Sequence, residues 1–386
     1  GLRLRDLREA DRWTRLGVHV LNDGFHRQIA ADGASREAAA WYHFILMNMA
    51  LRLWRLGNAA PELGLTIAAE KVAAMFDYTL ACVEPDGRST RIGDTVGRIT
   101  PDGTLASFIA RRGQVRRELG MDSVELPDPT QHFPAVRQAM VRSDWSDRAT
   151  YLTFDATTRY GYHWHPGRNS LQLCIDGQRV LADPGRMTYQ DTPHRRYATS
   201  TRGHSTINFN GWDQSDTPAQ MRVLGDRGVR LLEGCYEGGY WPMDGHSHGP
   251  GIFGRHRRTV LWWMGRFILV IDHVAHTAGE DRKPDVEMLW HFAPGEVSID
   301  PERASVHARF GDADLDLHFA LRPNSARLSI HEGESDPVLG WSADDVTDQP
   351  KPSPSVRLLV PSWDPWRLDL ATLLVPAGAA GVPMKV

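Results

Sequence analysis

The sequence predicts an α+β protein in two parts, a helical region over residues 1–130 followed by an antiparallel β-sandwich over residues 131–386. Two observations predict it. Apolar residues recur at three and four from Trp41 to Leu56 and again from Leu65 to Val83, which is the period of an amphipathic helix. After Val136 the texture changes to short β-rich runs separated by turn residues, the pattern of an all-β sandwich. Residues 120–136, rich in Pro and Asp, read as the linker between them.

From Leu2 to about Leu119 the spacing predicts about four helices. Breaks are expected at Asp32-Gly33, from Gly57-Asn58 to Pro61, at Pro85-Asp86-Gly87 and at Pro101-Asp102-Gly103, because glycine and proline interrupt helical backbone. Two hairpins can be read beyond Val136. Leu171 to Ile175 and Arg179 to Asp183 flank Asp176-Gly177, while Val260 to Met264 and Phe267 to Ile271 flank Gly265-Arg266. Further strands are expected over Thr150 to Phe154, Thr206 to Phe209, Val286 to Phe292, Leu315 to Leu321, Arg327 to Ile330 and Val356 to Val360.

The bulk composition narrows the function classes. With 386 residues and 41% apolar content, the chain can bury two ordinary globular cores. No run of about 18 apolar residues occurs, so no membrane-spanning helix is expected. A net charge of −4 argues against a nucleic-acid footprint. Only Lys71, Lys283, Lys351 and Lys385 of the 44 basic residues are lysines. The positive charge is thus almost all guanidinium, whose planar fork suits carboxylate and sulfate, although GC-rich coding gives the same bias. Cys82, Cys174 and Cys235 form neither a disulfide framework nor a CxxC pair. The opening at Gly1 fits either a removed signal or a start within a longer protein.

The densest chemical constellation is Tyr162-His163-Trp164-His165, then Asp183-Pro184-Gly185, then Ser200 to His204. The first hairpin returns Asp183 to the level of Ser170 to Gln172, so turn geometry places it near His165. Two imidazoles and a carboxylate are a normal zinc set. If the segment is extended, His163 and His165 point to one face, and one can ligate while the other meets substrate. With 17 histidines in the chain, spacing alone leaves a metal site and a chance HxH pair equally open. His246 and His248 read as a solvated Gly/Pro-rich loop. By periodicity Trp41 and Tyr42 are core residues, although a tyrosine with nearby cations can serve as a general acid or base.

Taken in order, these stretches resemble the heparinase II/III-like polysaccharide lyases. The resemblance rests on Asp32-Gly33 through Glu37 to Tyr42-His43, Ile92-Gly93-Asp94, His132-Phe133-Pro134 with Arg142 to Trp145, His163-Trp164-His165, Asp183-Pro184-Gly185, Arg196 to Thr201, and His204. Arg257 to Val260 with Val270 to Asp272 fits the family's later paired strands. The resemblance implies a partial α/α toroid ahead of the sandwich and a lyase acting by β-elimination on a uronic-acid glycan such as heparan sulfate or alginate. Its implied catalytic residues are Tyr42 and His163, with Tyr189 as an additional active-site tyrosine, and its implied structural zinc is held by His165, Asp183 and His204. Arg195, Arg196 and Arg202, in the same loop, are candidate anion contacts. The family's carboxylate-neutralising asparagine is expected ahead of Asp32, in a part of the toroid outside this chain. A periplasmic or secreted location and an acidic polysaccharide partner follow from the family, while the oligomeric state stays open, a homodimer being one option. A glycan-binding protein without catalysis, using Trp164, Trp212, Trp262 and Trp263, and a zinc hydrolase are the alternatives.

Overall fold

The computed structural model of the protein describes residues 6–100, 103–157, 161–226, 228–242, 251–277, 283–363 and 367–377. Four long helices come first: α1 (Ala10–Gln28), α2 (Ala40–Ala59), α3 (Ala69–Ala81) and α4 (Leu105–Glu118). Helix α2 passes through Gly57 and ends at Ala59, inside the break expected from Gly57 to Pro61. A glycine inside a helix costs only about 1 kcal/mol, and the chain is stopped instead by Pro61. Helix α4 starts on a reciprocal cap in which Thr104 Oγ1 accepts from Ser107 N and Ser107 Oγ accepts from Thr104 N. Phe25, Met47, Leu51, Val72, Phe76 and Val115 bring the inner faces of all four into one core. Trp13, Leu16 and Val20 of α1 and Ile45 and Met49 of α2 remain exposed. Among the described residues no helix is long and apolar enough to cross a membrane.

A five-stranded antiparallel sheet follows, β1 (Thr130–Phe133), β2 (Gln138–Arg142), β3 (Tyr151–Asp155), β4 (Ser170–Ile175) and β5 (Gln178–Leu181), paired in chain order. Strand β1 falls within the stretch read as linker. The β4–β5 hairpin turns on Asp176 and Gly177, both at positive φ, as a two-residue turn requires. The described residues beyond it build a nine-stranded antiparallel sheet, a four-stranded one and two short two-stranded ribbons. In the larger sheet, Ile252–Trp263 and Phe267–His276 alternate buried and exposed residues, so one face packs inward and the other meets solvent. Their pairing runs from Trp263 opposite Phe267 to Gly254 opposite His276, well beyond the short hairpin legible in the sequence.

Helices and sheets share a continuous core, and this holds the loops between them in place. Ala34, Ala38, Tyr78, Ala81 and Ile92 pack against Phe133, Met140, Tyr151 and Cys174. Tyr78 donates to Gln138 Oε1 at 2.6 Å, Tyr151 donates to the Ala81 carbonyl at 2.8 Å, and Arg142 donates to the Val83 carbonyl at 2.8 Å. Gly33 has φ +85° and lies so close to α3 that a Cβ there would sit 2.2 Å from the Ala74 carbonyl carbon. Only glycine fits, and the turn it makes lets Asp32 accept from Ala135 N at 3.1 Å.

Candidate active site

Asp94 is the hub of the site. It lies in the loop between α3 and α4, is fully buried, and receives three basic side chains from two other segments, His163 and His165 from one and Arg195 from the other. His163 Nδ1 donates to Oδ2 at 3.0 Å and His165 Nε2 donates to Oδ1 at 2.9 Å. The Arg195 guanidinium grips both oxygens, with Nη2 to Oδ2 at 2.9 Å. Burial alone would raise the carboxyl's pKa, but the bonds from His165, Arg195 and His163 outweigh it and hold Asp94 far below the usual carboxylate range. The preceding residue makes this possible. Gly93 has φ +57°, and a Cβ would lie 2.3 Å from the His163 carbonyl oxygen, so glycine lets Asp94 N donate to that carbonyl at 2.9 Å.

The segment carrying His163 and His165 is irregular rather than extended, yet both rings turn to the same carboxylate, one to each oxygen. With Nδ1 committed to Asp94, the Nε2 of His163 carries the free lone pair and lies 3.8 Å from Glu37 Oε1. The ring stacks on Tyr42, with centroids 3.6 Å apart and planes 11° from parallel. Tyr42 is therefore at the site, not in the core as its helical spacing suggests. Its hydroxyl lies 2.6 Å from that of Tyr189. Burial and the bond to Tyr42 raise the pKa of Tyr189, so Tyr189 keeps its proton and can donate it to the Tyr42 oxygen. The guanidinium groups of Arg186 and Arg195 lie 4.8 and 5.3 Å from the Tyr189 ring centroid. Three of the expected residues, Tyr42, His163 and Tyr189, thus converge from α2 and two separate loops.

The three arginines expected as anion contacts are differently placed. Arg195 spends its charge on Asp94. Arg196, next along helix α5 (Pro193–Ala198), pairs with Asp191 at the surface. Arg202 is mostly buried and pairs with Glu287 at 2.9 Å, a carboxylate that Arg357 also approaches. Arg195 and Arg202 are thus held by carboxylates in buried surroundings, whereas Arg196 and Asp191 form an exposed pair.

His165, Asp183 and His204 lie together beneath this cleft. His204 Nδ1 donates to Asp183 Oδ2 at 2.5 Å, and the His165 and His204 rings are 5.6 Å apart. Burial lowers the His165 pKa and favours its neutral, ligating form. His165 Nδ1 and His204 Nε2 are both buried without a hydrogen-bond partner, an expensive state for a polar atom. Among the described residues no three His, Cys, Asp or Glu side chains form a preassembled metal set. Even so, two orphaned imidazole nitrogens beside a carboxylate fit zinc in donor chemistry. Gly167 closes on this group, where a Cβ would lie 2.6 Å from the His204 ring. His246 and His248 lie outside the described residues.

Asp94 and Glu37 were not singled out for a role from the sequence. Both lie in stretches that carry the family resemblance, Asp32 to His43 and Ile92 to Asp94, and in the second the glycine before the acid marks a backbone drawn into close contact.

This architecture matches known proteins along almost the whole chain. Residues 1–100 match the family described as Heparinase II/III N-terminus, and residues 126–362 match Heparinase II/III-like, C-terminal. The chain belongs to the heparinase II/III-like family. It is 22% identical over 355 residues to the heparin-sulfate lyase of Pedobacter heparinus, covering 86% of this chain and 50% of that protein. It is 19% identical over 330 residues to the heparin-sulfate lyase of Bacteroides stercoris, covering 79% of this chain and 46% of that one. The crystal structure of heparan sulfate lyase HepC from Pedobacter heparinus superposes with a TM-score of 0.77 at 18% identity, over 98% of this chain and 58% of the other. A crystal structure of heparinase III superposes with a TM-score of 0.79 at 15% identity, over 96% and 58%. These likenesses establish the fold, and the chain spans only about half the length of the curated relatives it matches.

Proposed function

We propose that this chain is the catalytic-tyrosine and sandwich portion of a polysaccharide lyase that cleaves a uronic-acid-bearing glycosaminoglycan, of the heparan sulfate kind, by β-elimination. The observation that carries this reading is Tyr42, stacked on His163 and bonded to Tyr189, with the imidazole oriented by a buried carboxylate. In β-elimination the C5–H bond of the uronate and the C4–O glycosidic bond break, and a C4–C5 double bond forms. One group must take the C5 proton and another must give a proton to the leaving oxygen. His163 Nε2 and the Tyr42 hydroxyl are such a pair. Asp94 fixes the imidazole tautomer, and the proton on Tyr189 favours transient negative charge on the Tyr42 oxygen. Family membership supports the same chemistry.

His165, Asp183 and His204 would hold a zinc ion, which when bound supplies a structural tie between the loop carrying His163 and the sandwich. Alginate is a second substrate candidate, and a periplasmic or secreted location follows the family. The test is a screen of the protein and its full-length parent against heparan sulfate, hyaluronan and alginate, following the ultraviolet absorbance of the unsaturated product. Growth of that absorbance with heparan sulfate is expected. Sugar release without unsaturation would establish a hydrolase instead.

A further inference from the structure

The outer face of the nine-stranded sheet carries a polar groove of about 710 Å³ that the active-site cleft does not use. That volume falls within the range of ordinary ligand sites. Its walls are built by register. Along Ile252–Trp263 the odd-numbered residues face solvent, and Arg255 and Arg257 stand opposite Glu237 and Cys235 of the neighbouring strand. On the far side of that strand Gln220 stands opposite Cys235 and Arg222 opposite Glu233, while Arg257 faces His273, which in turn faces Asp369. Alternate residues of a strand point to opposite faces. The even-numbered His256 and Arg258 are accordingly buried, and Arg258 Nη1 donates to the carbonyls of Asn169 and Ser205, on the side of the active-site loops. The groove therefore opens on the opposite side of the sheet from those loops.

Its chemistry suits an anion-bearing chain. Four guanidinium groups, Arg222, Arg255, Arg257 and Arg367, face three carboxylates, with Glu233 shared by Arg222 and Arg257, and Asp369 by Arg367 and His273. The four arginine side chains are 48 to 73% exposed. Exposed pairs of this kind contribute little to stability and exchange readily for an incoming carboxylate or sulfate. At one end Phe253 is 53% exposed, two residues before Arg255 on the same face. Opposite it Gly239 makes room for the Trp241 indole, since a Cβ there would lie 2.8 Å from Nε1. Trp241 is 44% exposed, so beyond the groove on the same face of the sheet lies an aromatic platform of the sort on which sugar rings stack.

We propose that this face is a second binding surface for a carboxylated or sulfated polysaccharide, anchoring a stretch of chain away from the Tyr42–His163 cleft. It rests on the lyase reading only for the choice of ligand. Cys235 provides a native reporter, because it is half-buried in the groove while Cys82 and Cys174 are fully buried.

The test measures the alkylation rate of Cys235, located by mass spectrometry, with and without a long heparan sulfate oligosaccharide. Protection of about tenfold is expected, and R255Q/R257Q should bind about tenfold more weakly and lose that protection, in line with two charge-assisted contacts removed. An unchanged melting temperature verifies the fold of the variant, and Arg222→Gln, two strands away, gives an independent, smaller loss. The proposal is overturned if glycan leaves the Cys235 rate unchanged, if the variants bind as the wild type does, or if the protein binds no glycan. Self-association in sedimentation that R255Q/R257Q abolishes would also overturn it, by making the groove an interface between copies. Protection without unsaturated product sinks only the lyase reading, and product without protection sinks only the groove.

Discussion

Two buried aspartates in this protein gather nearly the same partners and do different things. Asp272 accepts from His256 Nε2 at 2.6 Å and from Arg258 at 2.7 and 3.2 Å, and all three side chains are fully buried. Asp94 accepts from His163, His165 and Arg195, but His163 keeps 23% of its side chain exposed and stacks on Tyr42. Around Asp272, burial would raise the carboxyl, but the Arg258 charge and the His256 bond hold it at about 2. That cluster pins Asn169 and Ser205 from behind through Arg258 and reaches no cleft. An Asp–His–Arg set thus becomes a site only where one ring nitrogen is left over and faces a group able to exchange protons.

Substitutions separate the two clusters. His163→Ala should lower turnover by about 10²- to 10⁴-fold, the usual worth of a general acid or base, with the unfolding midpoint little changed. Wild-type rates in that variant would remove His163 from catalysis. Asp272→Ala should do the reverse, costing about 3–5 kcal/mol in chemical denaturation because Arg258 is left buried without its counter-charge and His256 Nε2 without its acceptor. A loss below about 1 kcal/mol would mean that the sealed cluster is not structural.

A pH titration addresses a third buried imidazole, His43, which sits beside Tyr42 in sequence but points into the helical core and donates to the Met75 carbonyl. Burial pushes its pKa down to about 4. Its stabilising contribution is complete above the unfolded value of about 6.5 and is lost as pH falls from there towards 4, by about 3 kcal/mol in all. His43→Gln should flatten that part of the stability profile, and an unaltered slope would contradict the assignment. The last substitution concerns the proposed zinc group. His165→Ala should lower both zinc content and the melting temperature, read by metal analysis and thermal unfolding, because a proposed ligand is lost and not merely an outer-shell partner, whose loss alone costs about 10- to 100-fold in metal affinity. Unchanged zinc content would exclude His165 as a ligand.

Much of the fold was legible because period alone reveals it, as in α2, α3 and the hairpin on Asp176-Gly177. The strand Val229–Trp241 was missed because Gly234, Gly238 and Gly239 dilute its β signal. Those glycines exist for tertiary reasons, since a Cβ at each would meet Asn169, Tyr236 or Trp241. Strand β1 was hidden inside a Pro- and Asp-rich stretch, because four residues are too few to show alternation. In the site, the HxH and DPG segments stood out as donor residues at short spacing. Asp94 did not, since its partners lie 69, 71 and 101 residues away and such pairing leaves no local pattern. Spacing also assigned Tyr42 to the core, and only the position of the loop bearing His163 reveals what its ring faces.

The most direct measurement is the rate of unsaturated-product formation by Tyr42→Phe acting on heparan sulfate, alongside its melting curve. The phenol oxygen is the only atom removed, so the stack on His163 and the fold should persist while turnover falls by about 10²-fold or more. A variant that folds and cleaves at the wild-type rate would contradict the account.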